Sequence, residues 1–351
     1  MKVLHVVSSL NMGGAEQFVV DISAAMNQRP SVQADILSFG CSDDTLCQRC
    51  ADQGITIHHV NQTSRLQQFL QLRRLLKRFD AVHIHSSHCL FSILLASLFQ
   101  RDSRLYYTRH NTVVHRSFKW RLIYRLASIR LSNIVFIADI ARQDFLRTYP
   151  AFQAKSILIY NGIQQVEAPR PDRTNNSVIR LGQVGRFVPL KAQKLLIQAL
   201  AQLTADQRQA FEVHFFGDGP LLDDCRRQAE PLQQDMSVTF HGLEMDKSRI
   251  YQTIDVLVVT SETEGLSLVM LEALSAGCLV IATDVGGNAE IVEHQKSGLL
   301  FLYPDANQLS CLLQQLLADN HWHALVKAGE QRFHRIFEQT TCIKSYLALY
   351  A

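Results

Sequence analysis

Ser261-Glu262-Thr263-Glu264-Gly265-Leu266-Ser267-Leu268-Val269-Met270-Leu271-Glu272-Ala273-Leu274-Ser275-Ala276-Gly277 follows the apolar run Ile254-Asp255-Val256-Leu257-Val258-Val259. That run reads as a strand buried on both faces of a parallel sheet. The residues after Gly265 have helical spacing, and Gly277 is suited to end the helix. Glu264 is therefore expected on a strand-to-helix loop, with Glu272 two turns into the helix. If the intervening residues are all helical, the two lie about 12 Å apart along the axis. A helix N-terminus offers free backbone N–H groups and a positive dipole end, a setting for a phosphate. A diphosphate held there would leave Glu264 beside whatever hangs from one phosphate. Glu272 would accept hydrogen bonds from hydroxyls on the other side. A nucleoside diphosphate sugar has this layout, although two glutamates so spaced also occur on plain solvated helices.

With 351 residues the chain can build two domains, each with its own core. Its 47% hydrophobic content and 19% charge exclude a disordered polyelectrolyte. The start, Met1-Lys2-Val3-Leu4-His5-Val6-Val7, is strand-like rather than a signal peptide, and the apolar run from Leu90 to Phe99 is about half a membrane span. The cysteines follow no framework spacing. Cys47-Gln48-Arg49-Cys50, with Cys41 nearby, lacks further ligands for a zinc site, so reduced thiols are expected and no metal site is assigned. Charge is uneven. Residues Arg65 to Ala138 hold thirteen Lys or Arg against Asp80 and Asp102, a balance of +11; the chain total is +3, so the remainder carries −8. A basic half of this kind points to an anionic partner such as a membrane surface, or is simply a solvated face.

Strand-like and helix-like segments alternate throughout, which implies parallel sheets flanked by helices. Strands are expected near Lys2–Val7, Gln33–Ser38, Ile55–His59, Ala81–His85, Arg104–Thr108, Asn133–Ile137 and Ser156–Ile159. Glu167 to Ser177 is polar and proline-bearing, a linker composition. A second series follows at Val178–Val184, Phe211–Phe216, Val238–Phe240, Asp255–Val259, Leu279–Ala282 and Gly298–Phe301. Ligands of such doubly wound sheets bind at the strand C-termini.

Ser-x-x-Glu-Gly-x-x-Leu-x-x-x-Glu-Ala-x-x-x-Gly over 261–277, continued by Val280-Ile281-Ala282-Thr283-Asp284-Val285-Gly286-Gly287-Asn288-Ala289-Glu290, resembles the signature of retaining glycosyltransferases of the GT-B fold, family 4. The resemblance implies two doubly wound Rossmann-like domains facing each other across a cleft. Residues 1–165 would form the acceptor domain, with a helix at about 336–351 packing back on it. Residues 166–335 would form the nucleotide-sugar domain. Transfer would proceed by front-face attack, with the leaving phosphate helping to remove the acceptor proton and no catalytic base needed. No Asp-x-Asp metal motif lies in a suitable loop, in keeping with metal-independent chemistry.

Other segments extend the likeness. Gly185-Arg186-Phe187-Val188-Pro189-Leu190-Lys191 resembles the family loop whose basic residues hold the diphosphate. Cleaving the sugar–phosphate bond builds negative charge on the leaving group, and Arg186 and Lys191 would neutralise it. Ala192 stands where the family often has glycine, and Gln193 follows it. Asn11-Met12-Gly13-Gly14-Ala15-Glu16 resembles the loop that faces the donor phosphates, where Gly13 and Gly14 admit close backbone approach. His110 ends a strand and matches a histidine that contacts the donor sugar. His83 and His85 also fit a family pattern. Because strand side chains alternate, at most one of them is expected at the cleft, His85 ahead of His83. Phe240-His241-Gly242-Leu243 resembles the loop contacting the base, and Gly217-Asp218-Gly219-Pro220 reads as a turn with proline at the first helical positions.

The resulting assignment has Glu264 on the transferring sugar with His110, Arg186 and Lys191 as its catalytic companions. Gly13, Gly14, His241, Leu243, Gly265, Leu266, Ser267 and Glu272 complete the donor site, Glu272 on the ribose. The expected donor carries a hexose or N-acetylhexosamine on UDP ahead of GDP. The expected acceptor is a glycan or a polyprenyl-phosphate-linked saccharide of a surface polysaccharide, with no cofactor and no nucleic acid. Residues 117–130 read as a basic helix with an apolar stripe of Phe118, Leu122, Ile123, Leu126 and Ile129. Such a helix suits an anionic membrane, giving a cytoplasmic protein that lies peripherally on the inner face of the membrane. The rivals are a GT-B nucleotide-sugar epimerase, which needs no acceptor, and a non-catalytic nucleotide-sugar-binding protein.

Overall fold

The computed structural model describes residues 1–351 other than 12, 61–63, 99, 101–102, 111–112, 170–177 and 319–321. It contains two compact units, Met1–Gly162 with Gln339–Ala351, and Ile163–Glu338. Most of the linker expected over 167–177 lies outside the described residues. Glu167 itself accepts a hydrogen bond at its carbonyl from the Ser248 hydroxyl, at 2.6 Å.

In the first unit the strands are β1 Lys2–Val7, β2 Gln33–Ser38, β3 Ile57–His59, β4 Ala81–Ile84, β5 Arg104–Arg109, β6 Asn133–Phe136 and β7 Ser156–Leu158. They form one parallel sheet in the order β3-β2-β1-β4-β5-β6-β7. The helices are α1 Gly14–Asn27, α2 Cys47–Asp52, α3 Arg65–Leu76, α4 Ser87–Ala96, α5 Phe118–Arg130 and α6 Asp139–Thr148. Strand order reverses between β1 and β4, the switch point at which doubly wound sheets open a crevice. Leucines of α3 and α4 fill the core on one side, and Phe18, Val19 and Ile22 of α1 fill it on the other.

In the second unit the strands are β8 Ile179–Val184, β9 Phe211–Phe216, β10 Ser237–Gly242, β11 Val256–Val259, β12 Leu279–Thr283 and β13 Leu299–Phe301. Their order is β10-β9-β8-β11-β12-β13, all parallel, with the switch point between β8 and β11. The helices are α7 Lys194–Ala201, α8 Ala205–Gln209, α9 Leu222–Ala229, α10 Lys247–Thr253, α11 Leu268–Ser275, α12 Asn288–Ile291, α13 Ala306–Ala318 and α14 Trp322–Arg332. The chain then returns to the first unit as α15 Gln339–Tyr350, burying Cys342, Ile343, Tyr346 and Tyr350. Each buried tyrosine of this kind contributes on the order of 2–3 kcal/mol.

Three expectations need correcting. The helix of the two-glutamate segment starts at Leu268, not at Gly265, although it ends where expected, with Gly277 in the left-handed region at φ +68° just after the C-cap Ala276. Glu272 is thus little more than one turn in, and the 12 Å helical separation does not apply. Pro220 lies ahead of α9, whose N-cap is Leu221. The stripe expected on α5 is split. Ile123, Tyr124 and Ala127 are buried, while Phe118, Leu122 and Ile129 are 83%, 61% and 75% exposed. Tyr124 displaces the aliphatic stripe because its ring packs among Phe145, Tyr149 and Phe152.

Candidate functional site

The second unit gathers its candidate residues on the two loops beside the switch point. After β8 the chain turns through Gly185 into a short 3-10 turn, Pro189–Lys191, and Ala192 follows in the left-handed region at φ +46°. Thr260, at the end of β11, donates to the carbonyls of Lys191 and Ala192, each at 2.9 Å. Gln193 Nε2 donates to the Arg186 carbonyl at 2.8 Å. Lys191 Nζ reaches Glu264 Oε1 at 2.6 Å, and the Ser261 hydroxyl donates to that oxygen at 2.7 Å. Arg186 is exposed, and among the described residues no carboxylate pairs with it. An unpaired guanidinium beside an already neutralised lysine–glutamate pair is a ready anion receptor.

Ser267 forms the N-cap of α11 but makes no side-chain cap, so the leading N–H groups of the helix stay open to an incoming acceptor. Leu266 and Ser267 are buried and Gly265 is half-buried. Glu272 is also buried. Its Oε2 accepts from the Tyr251 hydroxyl at 2.8 Å, and Lys247 Nζ lies 2.7 Å from Oε1. The carboxylate is thereby fixed in orientation, and its remaining lone pairs can accept from a diol. Near the end of β10, His241 stacks on Phe216 with centroids 4.3 Å apart and planes 5° apart. Leu243 beyond it is 69% exposed.

Three glycines that the sequence reading left without a site role hold these loops in place. A Cβ on Gly286 would sit 1.8 Å from the Glu264 carbonyl oxygen, and Gly286 has φ +53°. The next residue, Gly287, donates its N–H to the Gly265 carbonyl at 3.0 Å. A Cβ on Gly217 would meet the Gly185 carbonyl oxygen at 2.1 Å, and one on Gly219 the Phe187 carbonyl oxygen at 2.6 Å. So Gly217-Asp218-Gly219 braces the Arg186 loop rather than only opening a helix. Lys247 and Tyr251 were also missed. Their signal was the i, i+4 pairing on one helix face of a cation and a tyrosine, too common to single out.

In the first unit, Gly13 is the N-cap of α1 at φ −160°, and Gly14 begins the helix. Extended backbone suits any residue, and only the Glu16 side chain approaches a Cβ built on Gly13. Burial raises the Glu16 carboxyl above its usual range. His110 follows β5, and His85 follows β4. His83 and His85 are two apart, so they share a face, and strand alternation is not a reason to expect only one of them at the crevice. Their rings stack at 4.5 Å and both are buried. His83 is spent on structure, with Nδ1 2.5 Å from the Tyr350 hydroxyl and Nε2 2.6 Å from that of Thr108. His5, His83 and His85 bring ring nitrogens within 4.8 Å of one another. Those of His83 are already engaged by the two hydroxyls.

Two family models match the chain. "Glycosyltransferase Family 4" matches residues 12–165 and "Glycosyl transferases group 1" matches residues 167–332. EpsF of Bacillus subtilis (strain 168) is 26% identical over 305 residues, covering 81% of this chain and 79% of EpsF. The capsular polysaccharide biosynthesis glycosyltransferase CapH of Staphylococcus aureus is 24% identical over 319 residues, covering 84% and 85%. Anabaena HepE, solved in complex with UDP and glucose, is similar in structure with a TM-score of 0.84 at 21% identity, covering 99% of each chain. With both units matched in chain order, each a parallel sheet with its loops at the switch point, the chain belongs to the family 4 glycosyltransferases of the GT-B fold.

Proposed function

We propose that this glycosyltransferase is retaining and metal-independent, and that it moves a hexose or N-acetylhexosamine from a UDP-sugar to a glycan or lipid-linked saccharide of a surface polysaccharide. The observation that carries the reading is the convergence of Arg186, Lys191, Glu264 and the open N-terminus of α11 at one switch point. Arg186, Lys191 and the N–H groups around Gly265–Ser267 receive the diphosphate and stabilise the charge that grows on it as the sugar leaves. Glu264 accepts hydrogen bonds from the sugar, and Glu272 from the ribose. Lys191 touches Glu264 and would also touch phosphate, so it links the two ends of the scissile bond electrostatically. Gly13, Gly14 and His110 are the first unit's candidates for donor contacts, and the backbone near His241 and Leu243 meets the base. HepE, solved with UDP and glucose, supports the choice of UDP, and CapH supports a polysaccharide product.

The first test is thermal stabilisation of the full chain by UDP, GDP and ADP without added metal. A ligand that binds only the native state must raise Tm. A shift with UDP alone, weakened in Glu272→Ala, is expected. No shift with any nucleotide would favour the non-catalytic rival.

The exposed face of α5 supports a membrane role, because Phe118, Leu122 and Ile129 share it with Lys119, Arg121 and Arg125. Among the described residues no helix is long and apolar enough to cross a membrane, so attachment would be interfacial. The triple change of Lys119, Arg121 and Arg125 to glutamate is expected to abolish sedimentation with anionic liposomes. Unchanged sedimentation would remove the idea.

A further inference from the structure

Glu272 interrupts an otherwise apolar stretch of α11, Leu268-Val269-Met270-Leu271-Glu272-Ala273-Leu274. Its side chain is 9% exposed, and both partners of its carboxylate come from α10. Lys247 Nζ lies 2.7 Å from Oε1, and the Tyr251 hydroxyl donates to Oε2 at 2.8 Å. Lys247 and Tyr251 are one helical turn apart, on the same face. A buried ion pair rarely stabilises a fold more than apolar residues of similar volume would. A carboxylate kept here and met by two donors is therefore better explained by a ligand than by stability.

The two donors differ in what they leave free. Tyr251 is fully buried, and burial together with the Glu272 charge pushes its hydroxyl far above the usual tyrosine pKa. The hydroxyl therefore keeps its one proton. The Val269 carbonyl at 3.2 Å competes for that proton, but the carboxylate is nearer and charged. The Lys247 side chain is 41% exposed, and its ammonium carries three N–H groups, so two remain for a ligand. Among the described residues no other donor reaches the Glu272 carboxylate. A carboxylate offers about four acceptor sites. With one spent on each oxygen, each oxygen still has capacity to accept.

Two acceptors side by side match two hydroxyls on neighbouring carbons, as in the 2′,3′-diol of a ribose. A hydroxyl that donates to Oε1 can also accept an N–H of Lys247, so charge-assisted bonds close a cycle around it. The terminal torsion of a glutamate is broad. Without partners the carboxylate would present its oxygens in many directions. The helix that supplies the partners is itself pinned. Asp246 caps α10 by accepting from the Arg249 N–H at 3.3 Å, Ser248 donates to the Glu167 carbonyl at 2.6 Å, and Arg180 donates to the Gln252 carbonyl at 2.9 Å.

We propose that Lys247 and Tyr251 are positioning residues that aim the Glu272 carboxylate at both ribose hydroxyls, and that they make this enzyme select ribonucleoside over deoxyribonucleoside diphosphate sugars. This rests on the reading of Glu272 as the ribose contact.

The test is calorimetric titration of the full-length chain with UDP and its 2′-deoxy, 3′-deoxy and 2′,3′-dideoxy forms, with the GDP and ADP sets run in parallel. For the base that binds, the native chain is expected to lose roughly tenfold in affinity with each hydroxyl removed, the worth of one hydrogen bond. In Lys247→Met and in Tyr251→Phe the ribonucleotide is expected to bind within about fivefold of its dideoxy form. Affinity for the dideoxy form itself is expected to stay unchanged. Lys247→Arg keeps the cation and is expected to restore part of the preference. Lys247→Met changes a half-exposed side chain and stands in should the buried Tyr251→Phe not fold. Variants that keep the native preference, or that weaken the dideoxy form as much as the ribonucleotide, overturn the positioning role and leave Glu272 as the ribose contact. A native chain that binds ribo and dideoxy forms equally, or binds no nucleotide, overturns Glu272 as the ribose contact and the proposal with it.

Discussion

Lys191 Nζ lies 2.6 Å from Glu264 Oε1, and Ser261 donates to the same oxygen. With side-chain exposures of 32% and 11%, the pair is only partly screened by water. Its two members come from separate loops, after β8 and after β11. The pair therefore ties the residue proposed for phosphate to the residue proposed for the sugar. Glu264→Gln keeps the shape and removes the charge, and kcat is expected to fall on the order of 10²–10³-fold. Lys191→Ala is expected to lose a similar factor in kcat/KM. Steady-state transfer assays check both, and losses smaller than about fivefold would defeat the assignment.

Gly286 is expected to be as sensitive as a ligand-touching residue without being one. A Cβ there would collide with the Glu264 backbone at 1.8 Å, and φ is +53°. Gly286→Ala must displace the Glu264 loop, with a cost of about 1–3 kcal/mol. The expected signature is a lowered Tm together with weakened UDP binding by calorimetry. A variant with native Tm and native affinity would show that the loop yields freely.

Ala192 offers a change in the opposite direction. Left-handed backbone costs a non-glycine residue roughly 1–2 kcal/mol, and φ is +46° here. Ala192→Gly removes that strain but adds unfolded-state entropy worth about 0.4–1 kcal/mol. The net gain is expected to be below about 1 kcal/mol, a Tm rise of roughly 1–3 °C. A fall in Tm on scanning calorimetry would contradict this.

Acid stability should be set by histidines before carboxylates. Burial lowers His5 to about 3, and His110 and His214 to about 4, from 6.5. Below pH 6.5 the unfolded chain takes up protons that the folded chain refuses. This stability is fully present above that pH and is lost as pH falls towards the folded values. Asp224 and Glu293, lowered from 3.8 and 4.5 by neighbouring cations, add to the loss only at lower pH. Urea midpoints are therefore expected to drop already between pH 6.5 and 5. A flat midpoint across that interval would show that the rings protonate without unfolding.

The two-sheet plan was legible because parallel strands buried on both faces write continuous apolar runs, as in β12, where every residue from Leu279 to Thr283 is buried. The loops after β8 and β11 were legible because charge and glycine cluster there. Less was readable where packing decided the outcome. On α5, Tyr124 entered the core in place of the aliphatic stripe. Gly286 and Gly217 matter through carbonyl oxygens that are remote in sequence or on another loop. His5 looked like an ordinary strand residue until three strands were laid side by side. The start of α11 at Leu268 was missed because the helical spacing runs back to Gly265, whereas the N-cap is Ser267.

The return of α15 to the first unit has a consequence for how the molecule is made. Residues 163–338 are contiguous, so the second unit has all its own sequence once Glu338 emerges from the ribosome. The first unit, although translated earlier, waits for Tyr346 and Tyr350 to close its core and to supply the hydroxyl that His83 Nδ1 meets. Until then a row of buried imidazoles and the α1 side of the sheet stand uncovered. The unit begun first is thus completed last, and through that interval it is the part of the nascent chain most exposed to misassociation.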